Sequence, residues 1–545
     1  MLLSPSRPAL INRTNVHEGD EDIELVDAFN DTPNSDRKRQ LTDSGQGAEC
    51  RKRAKVEVRV ETDSEDDEPV VYVPRPWSRS FAATRPLAMA GLAVRPQIPS
   101  VATRSQLRSF VSSHRSDVFK THSAEVDTLI NLPYACAYSN GAKRGEEPLL
   151  AVTTEQGIVH IFNTKRRKDW DCEPPRTEFQ PYPNGIFDVQ WSADDQFLAT
   201  ASANSSVQIS CLRPSGGETL RHLRGHTGSV KCVIWDKRRH GDILYSGGRD
   251  GAICVWDLRV GENVSVDNED GNATLGTPVL MIPNAHTDST KPSTPRRKGK
   301  FGPPAPLRSV TSLLYSEGHP FGLVSSGSND GILSHWDLRL PSENSTPKRK
   351  TKSKIQPTFS SPFDPTTYQG KRRARGITNL AAGSGPTAGQ LFALSNDSRI
   401  HTYQLSNLDP LSGHTDEVEK DRWSYSHPNM RTNSFYVRIA PSPCGRWIAS
   451  GGANNGSVYL FDVTADTRSR WSQHPDDMIR GRGVELQGQS GEVGAVDWAE
   501  GMLASCADDG TVRVWRPDLE VYRECEGDPE RMKWDYCWAW GETKV

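Results

Sequence analysis

The sequence predicts an all-β fold: a seven-bladed β-propeller with a disordered N-terminal extension and basic inserted loops. The first observation is a spacing. Asp250 is followed six residues later by Trp256, Asp330 by Trp336 and Asp509 by Trp515. Weaker copies run from Gln156 to Phe162, Ser205 to Cys211, Asp397 to Tyr403 and Asn455 to Phe461, making seven units. The second is an upstream apolar strand in each unit, as in Phe187-Asp188-Val189-Gln190-Trp191, Val230 to Trp235 and Val493 to Trp498. Short strands separated by regular turn signals describe an all-β array. Seven four-stranded units closed in a ring leave few strand edges open, which is why closure is expected.

Taken in order, residues 1–105 are rich in charge and Pro, show no sustained period and are expected to be disordered. Residues 1–70 alone hold 17 acidic and 10 basic side chains. Within them Arg37-Lys38-Arg39 and Arg51-Lys52-Arg53-Ala54-Lys55 have the spacing of a two-part nuclear import signal. Such clusters also serve as nucleic-acid contacts, but the acidic neighbours Glu65 to Glu68 weaken attraction to phosphate and favour import. Residues 106–132 form a lead-in in which Leu107, Phe110, Val111, Val118 and Phe119 are compatible with one or two short helices. That segment either packs on the propeller, completes its last blade or docks a partner. The propeller itself spans 133–517, and 518–545 is a tail in which Trp534, Trp538 and Trp540 fall within seven residues. That much apolar area calls for cover, either by a blade or by a partner.

Two inserts interrupt the blades, at about 288–308 and 340–374, and both are strongly basic. Each holds a Thr-Pro followed by a base: Thr294-Pro295-Arg296-Arg297 and Thr346-Pro347-Lys348-Arg349. Thr294 and Thr346 are therefore candidate sites for a proline-directed kinase, whose phosphate partly neutralises a cationic loop.

The most complete unit opens at Gly225-His226, carries Ser246 on its second strand, turns at Asp250-Gly251 and ends its third strand at Trp256. This resembles the WD40 pattern, and the resemblance implies that His226, Ser246, Asp250 and Trp256 form a buried hydrogen-bonded tetrad within the blade. A structural role outweighs a catalytic dyad for His226 and Asp250, because buried polar groups need partners. The last unit has Gln489 in place of the His, so its tetrad is expected to be incomplete.

Ten cysteines are scattered without Cys-x-x-Cys or any His/Cys cluster at metal-ligand spacing. Neither metal nor cofactor is expected, and a reducing compartment is. No secretory signal and no 18-residue apolar run occurs, so no membrane association is expected. Phosphate-binding Gly loops, His-Glu-x-x-His and Gly-x-Ser-x-Gly are all missing from the sequence. A binding protein rather than an enzyme is the expectation.

The specific signal is Trp-Asp-x-Arg in two consecutive units. The fold accounts for the Trp and Asp, but a residue just past the third strand need not be basic. Arg259 and Arg339, each with an Asp two residues earlier (Asp257, Asp337), suit bidentate recognition of carboxylates or carbonyls. Local ion pairing is the plainer reading. These boxes resemble those by which WD40 substrate receptors dock on the damage-specific DNA-binding adaptor of cullin-4 RING ubiquitin ligases.

Leu132 to Ser139, Gly225 to Lys231, Ser246 to Arg259 and the basic insert between the third and fourth units are, more narrowly, similar to the denticleless family. That resemblance covers about 107–517. It implies a nuclear, non-catalytic receptor that brings replication-licensing factor and other S-phase or DNA-damage substrates, bound to the sliding clamp on chromatin, to the ligase. Animal members carry a long tail with a clamp-binding motif, whereas this sequence ends soon after the seventh unit and has no convincing Gln-x-x-aliphatic-x-x-aromatic-aromatic stretch. This departure leaves direct, autonomous clamp binding open and substrate capture on the propeller as the expectation.

Six residues of strand cover about 20 Å at roughly 3.3 Å per residue. Arg259 and Arg339 should then lie on the face opposite Glu155, Asn204, Arg249, Asn329, Asn396, Asn454 and Asp508, the turn residues offered as the substrate face. The rival reading is a chromatin-associated scaffold or histone-tail reader, which needs an acidic pocket for basic peptides. Direct nucleic-acid contact by the basic loops is compatible with either and would show steep salt dependence.

Overall fold

The computed structural model describes residues 103–540 except 124–128, 169–175, 214–215, 239–240, 261–263, 269–270, 287–307, 317, 320, 340–354, 419–420 and 465–482. The basic clusters at 37–39 and 51–55, and Thr294 and Thr346, lie outside the described residues. All that follows concerns the compact unit Arg95–Val545.

Seven antiparallel sheets make a propeller. Their inner strands are Pro133–Tyr138, Ile186–Trp191, Val230–Trp235, Val310–Tyr315, Ile377–Ala382, Ile439–Pro441 and Val493–Ala499, taken here as blades 1 to 7. Blade 3 continues with Ile243–Gly248, Ile253–Asp257 and Leu280–Ile282; blade 4 continues with Gly322–Gly327, Ser334–Asp337 and Phe359–Ser360. The second strands of these two blades are buried at every position. A neighbouring blade covers each of their faces, so they read as continuous apolar and small residues rather than as an alternation.

A shared device joins the blades. In six of the seven inner strands the register slips near the start, between Pro133/Ala135, Ile186/Asp188, Val230/Cys232, Val310/Ser312, Ile377/Asn379 and Val493/Ala495. Such a bulge bends the strand and re-aims a side chain. Polar residues near the bulge then accept from the next blade: Asp188 from Val233 N at 2.9 Å, Ser312 from Leu380 N at 3.1 Å, Asn379 from Ile439 N at 3.1 Å and Asp497 from Tyr138 N at 2.7 Å. The last of these joins blade 7 to blade 1 and closes the circle.

Closure also uses the lead-in. A short helix, Thr103–Arg108, is present, but the other expected helical positions are strand: Phe110–Val111 pairs with Pro517 and Arg516, and Val118–Lys120 pairs with Arg513 to Thr511. Aromatic and β-branched residues fit a pleated surface better than a short helix, and the third strand of blade 7 offers an unpaired edge. The tail helices Leu519–Gly527 and Pro529–Asp535 then cover this seam, with Val111, Tyr522, Cys525 and Trp538 in one apolar cluster. Trp540 packs beside it, whereas Trp534 remains 81% exposed.

Two boundaries differ from the sequence reading. The stretch assigned to the second insert contains the outer strand of blade 4, because Phe359 and Ser360 pair with His335 and Ser334. Between the third and outer strands of blade 3, Val264–Asn268 and Gly271–Gly276 form a hairpin that joins the outer strand of blade 2 in parallel, with Arg221 opposite Thr274. Short polar strands of this kind carry little hydrophobic period, so neither was visible in the sequence.

Candidate functional site: two faces and a channel mouth

The turn of blade 3 is built by its polar network. His226 Nε2 and Ser246 Oγ are 2.8 Å apart, Trp256 Nε1 donates to Ser246 Oγ at 2.8 Å, and His226 Nδ1 lies 3.1 Å from both Asp250 oxygens. Burial alone would raise the Asp250 carboxyl, but the hydrogen bond and charge of His226 hold it below the usual carboxylate range, helped by N–H bonds from Thr227 and Ala252. Gly251 makes the turn at φ +72°, and a Cβ there would meet the Arg308 carbonyl at 2.7 Å.

Blade 4 repeats the arrangement through His286, Ser325 and Trp336, with His286 Nε2 at 2.9 Å and Trp336 Nε1 at 2.8 Å from Ser325 Oγ. In blade 7 Gln489 substitutes without breaking the chain of bonds. Ser505 Oγ donates to its oxygen at 2.6 Å, Trp515 Nε1 reaches Ser505 at 2.8 Å, and its amide donates to Thr511 Oγ1 at 3.2 Å, which in turn reaches Asp509. The network expected to be incomplete is thus relayed through one extra hydroxyl.

Asp257 and Asp337 end the third strands of blades 3 and 4, at the end away from these turns, since Asp257 pairs with Ile243 while Ile253 pairs with Gly247. Each Asp folds the chain back by accepting the backbone N–H of its Arg, at 3.0 Å for Arg259 and 3.1 Å for Arg339. The same carboxylates then take the guanidinium: Arg259 through Nε at 3.0 Å and Nη2 at 2.7 Å, Arg339 through Nε at 2.9 Å and Nη2. The Arg side chains are 56% and 70% exposed. This bond raises both guanidinium pKa values, and the hydrogen bond from Arg339 lowers that of Asp337. The ion pairs hold each fork in a fixed orientation while leaving its outer edge to solvent. Blade 1 makes the same backbone turn at Asn163, which accepts from Lys165 N at 3.0 Å, a third basic position that lies outside the Trp-Asp pattern.

The seven turn residues all belong to connections from second to third strands and so share the opposite face. Several are tied by their backbone N–H to the start of their own inner strand: Glu155 to Leu132, Arg249 to Ser229, Asn396 to Gly376 and Asp508 to Glu492. Asn204, Arg249, Asn329 and Asn454 are exposed; Glu155, Asn396 and Asp508 are half-buried.

That face also holds a group that no sequence spacing announced. At the mouth of the central channel Tyr134 lies 4.7 Å from Tyr436 and 5.9 Å from Phe187, and Phe187 lies 5.9 Å from Phe435. Lys231 Nζ sits between the last two rings, 4.2 Å from Phe187 and 3.6 Å from Phe435. Arg438 crosses from blade 6 to Asp188 of blade 2 at 3.0 Å and donates to the carbonyls of Phe187 and Lys231. Tyr134, Phe187 and Lys231 are the bulge residues of their strands, a register slip that exists only once the strands are paired. Beside this group, between the turns of blades 5 and 6, a cavity of about 580 Å³ is lined by Arg372, Arg373, Arg375, Arg431, Asn396 and Asn433 among others.

Known proteins agree with this architecture. The WD domain, G-beta repeat, matches residues 173–209, 217–257, 426–462 and 483–516. The cell division cycle protein cdt2 of Schizosaccharomyces pombe is 30% identical over 404 residues, 72% of this chain and 70% of that protein. The denticleless protein homologs of Danio rerio and Homo sapiens are 29% and 28% identical over 76% and 77% of this chain. The chain spans 55% and 52% of their lengths, about half of each. With seven blades, a Ser–Trp hydrogen bond repeated in blades 3, 4 and 7 and this extent of similarity, the chain belongs to the denticleless family of WD-repeat propeller proteins.

Proposed function

We propose that this protein is the non-catalytic substrate-recognition subunit of a nuclear cullin-4 RING ubiquitin ligase, holding the ligase adaptor on the Arg259/Arg339 face and substrate on the turn face. The observation that carries the reading is the pair of exposed guanidinia in adjacent blades, each pinned by its own Asp in the same turn. A fixed fork loses little freedom on binding and matches carbonyls and carboxylates on a partner. Asp257 and Asp337 act as positioning residues, and Arg259 and Arg339 make the contact.

Substrates in this reading are replication-licensing factor and other S-phase or DNA-damage proteins, presented on the sliding clamp. The propeller works by proximity, raising the effective concentration of substrate near the charged conjugating enzyme. The histone-reader alternative requires an acidic pocket for basic peptides, whereas the turn-face cavity is lined by four arginines and the channel-mouth rings already hold Lys231.

The test is capture of the damage-specific DNA-binding adaptor by wild type and by Arg259→Ala/Arg339→Ala, with circular dichroism to check folding. Wild type is expected to capture the adaptor and the folded double variant to lose it. Failure of the wild type to bind removes the ligase reading.

A further inference from the structure

We propose that the cavity between the turns of blades 5 and 6 is a phosphate-binding site that takes a phosphoserine or phosphothreonine from a partner protein segment. This deepens the turn-face reading above and rests on it. Two connections converge to make the cavity. The one entering blade 5 brings Arg372, Arg373 and Arg375; the one entering blade 6 brings Arg431 and Asn433; the second turn of blade 5 supplies Asn396. All four arginines are exposed.

The connection entering blade 5 is held in shape by Asp364 and Thr366. Asp364 accepts from Thr366 N at 2.8 Å, and Thr366 Oγ1 accepts from Arg375 N at 3.0 Å, which fixes the loop beneath Arg372 to Arg375. Arg372 lies 5.6 Å over the Tyr368 ring, and Arg431 donates to the Met430 and Pro428 carbonyls at 2.9 and 3.0 Å through one nitrogen. A guanidinium has five N–H donors, so these contacts leave Arg431 others to offer. Asp397 is the one carboxylate in the lining; its Oδ2 is engaged by His401 Nε2 at 3.0 Å, and its Oδ1 is buried without a hydrogen-bond partner. The Asn396 side-chain oxygen is buried without a hydrogen-bond partner, and turning that amide over presents donors instead.

Charge and shape select the ligand. Four guanidinia against one carboxylate favour a dianion with three acceptor oxygens over a single carboxylate, which one Arg fork satisfies. The geometry favours a protein segment over nucleic acid. The chain that contributes Arg431 and Asn433 runs on into Phe435 and Tyr436 at the channel mouth, whose half-buried rings leave edges rather than faces to a neighbouring segment. Those rings pack on one another, with centroids 3.9 Å apart, and on Tyr134 and Lys231. They are not the open platforms on which successive bases stack.

The experiment uses full-length protein and beads carrying a peptide mixture with random flanks around a central phosphothreonine, beside beads with unphosphorylated threonine. Retention on the phosphorylated beads is expected to exceed the control by about tenfold or more. Free O-phosphothreonine should compete, and a twelve-residue oligothymidylate should not. Arg375→Ala/Arg431→Ala and, independently, Arg372→Glu/Arg373→Glu should erase the difference. Equal retention on both beads, an unchanged ratio in both variants, or competition by the oligonucleotide alone overturns the proposal. Both variants are expected to keep adaptor capture, so loss of this site reads differently from failure of the receptor assignment. A wild type that retains phosphopeptide but not adaptor would sink that assignment alone.

Discussion

Arg438 of blade 6 reaches across the channel mouth to Asp188 of blade 2 at 3.0 Å, and Asp188 also accepts the Val233 N–H of blade 3 at 2.9 Å. Three blades are thereby tied at one carboxylate that is 6% exposed. Burial pushes the Asp188 carboxyl upward, with Arg438 the largest influence against it. Arg438→Ala strands that carboxylate, and the expected loss is about 3–5 kcal/mol in urea unfolding at neutral pH. Adding Asp188→Asn should restore part of it; a single-variant loss under about 1 kcal/mol would mean that the pair does not hold the ring.

Ser246 is the hinge of the blade 3 tetrad, because its hydroxyl serves both His226 and Trp256. Ser246→Ala leaves the indole N–H without its acceptor in a buried site, at a cost of about 1–3 kcal/mol. Thermal unfolding of the variant measures it, and an unchanged midpoint would dissociate the tetrad from stability.

His286 supplies a pH dependence. Burial, then the nearby Arg308 charge, lowers its pKa from 6.5 to about 4. Folded protein keeps the ring neutral, whereas the unfolded chain takes up a proton below pH 6.5. The stability is therefore fully present above about pH 6.5 and is lost as pH falls towards 4. Between pH 7 and pH 5 this one group should remove about 2 kcal/mol. His286→Gln, which copies the residue standing in blade 7, should flatten that part of the profile; an equally steep variant would assign the effect elsewhere.

The Arg259 and Arg339 side chains are 56% and 70% exposed, so their ion pairs are open to solvent and Arg259→Ala/Arg339→Ala should change stability by no more than about 1 kcal/mol per pair. The unfolding midpoint of the double variant separates this from the adaptor-capture defect proposed for it. A large drop in the midpoint would make any binding loss uninterpretable as a contact effect.

Two tail tryptophans should behave oppositely. Trp538 is 3% exposed and its segment bridges Gln487 of blade 6, whereas Trp534 is 81% exposed. Trp538→Ala should cost about 3–5 kcal/mol. Trp534→Ala should stay within about 0.5 kcal/mol, both read by urea titration.

The blade count was legible because the signal is local: a turn residue, then five residues, then the Trp or its substitute. So were the four residues of the blade 3 tetrad, since each falls at a fixed place in its unit, whereas the relay through Thr511 in blade 7 was not. The strands of the lead-in were less legible. Phe110, Val111, Val118 and Phe119 carry no distinctive period over so short a stretch, and only the open edge at 511–517 determines that they pair. Blade 4's outer strand was hidden for a similar reason, as Phe359 and Ser360 lie past a long basic insert and have strand form only beside His335 and Ser334.

By itself the sequence determined the repeat, the number of blades and the two Trp-Asp-x-Arg boxes, because these depend on neighbours within a dozen residues. Tertiary structure alone decided which segment closes the ring, what fills the channel mouth and where a cationic cavity opens. Arg438 meets Asp188 from 250 residues away. The cavity draws its arginines from connections belonging to two blades. Partners of that kind are chosen by the closing of a circle, and no local pattern records them.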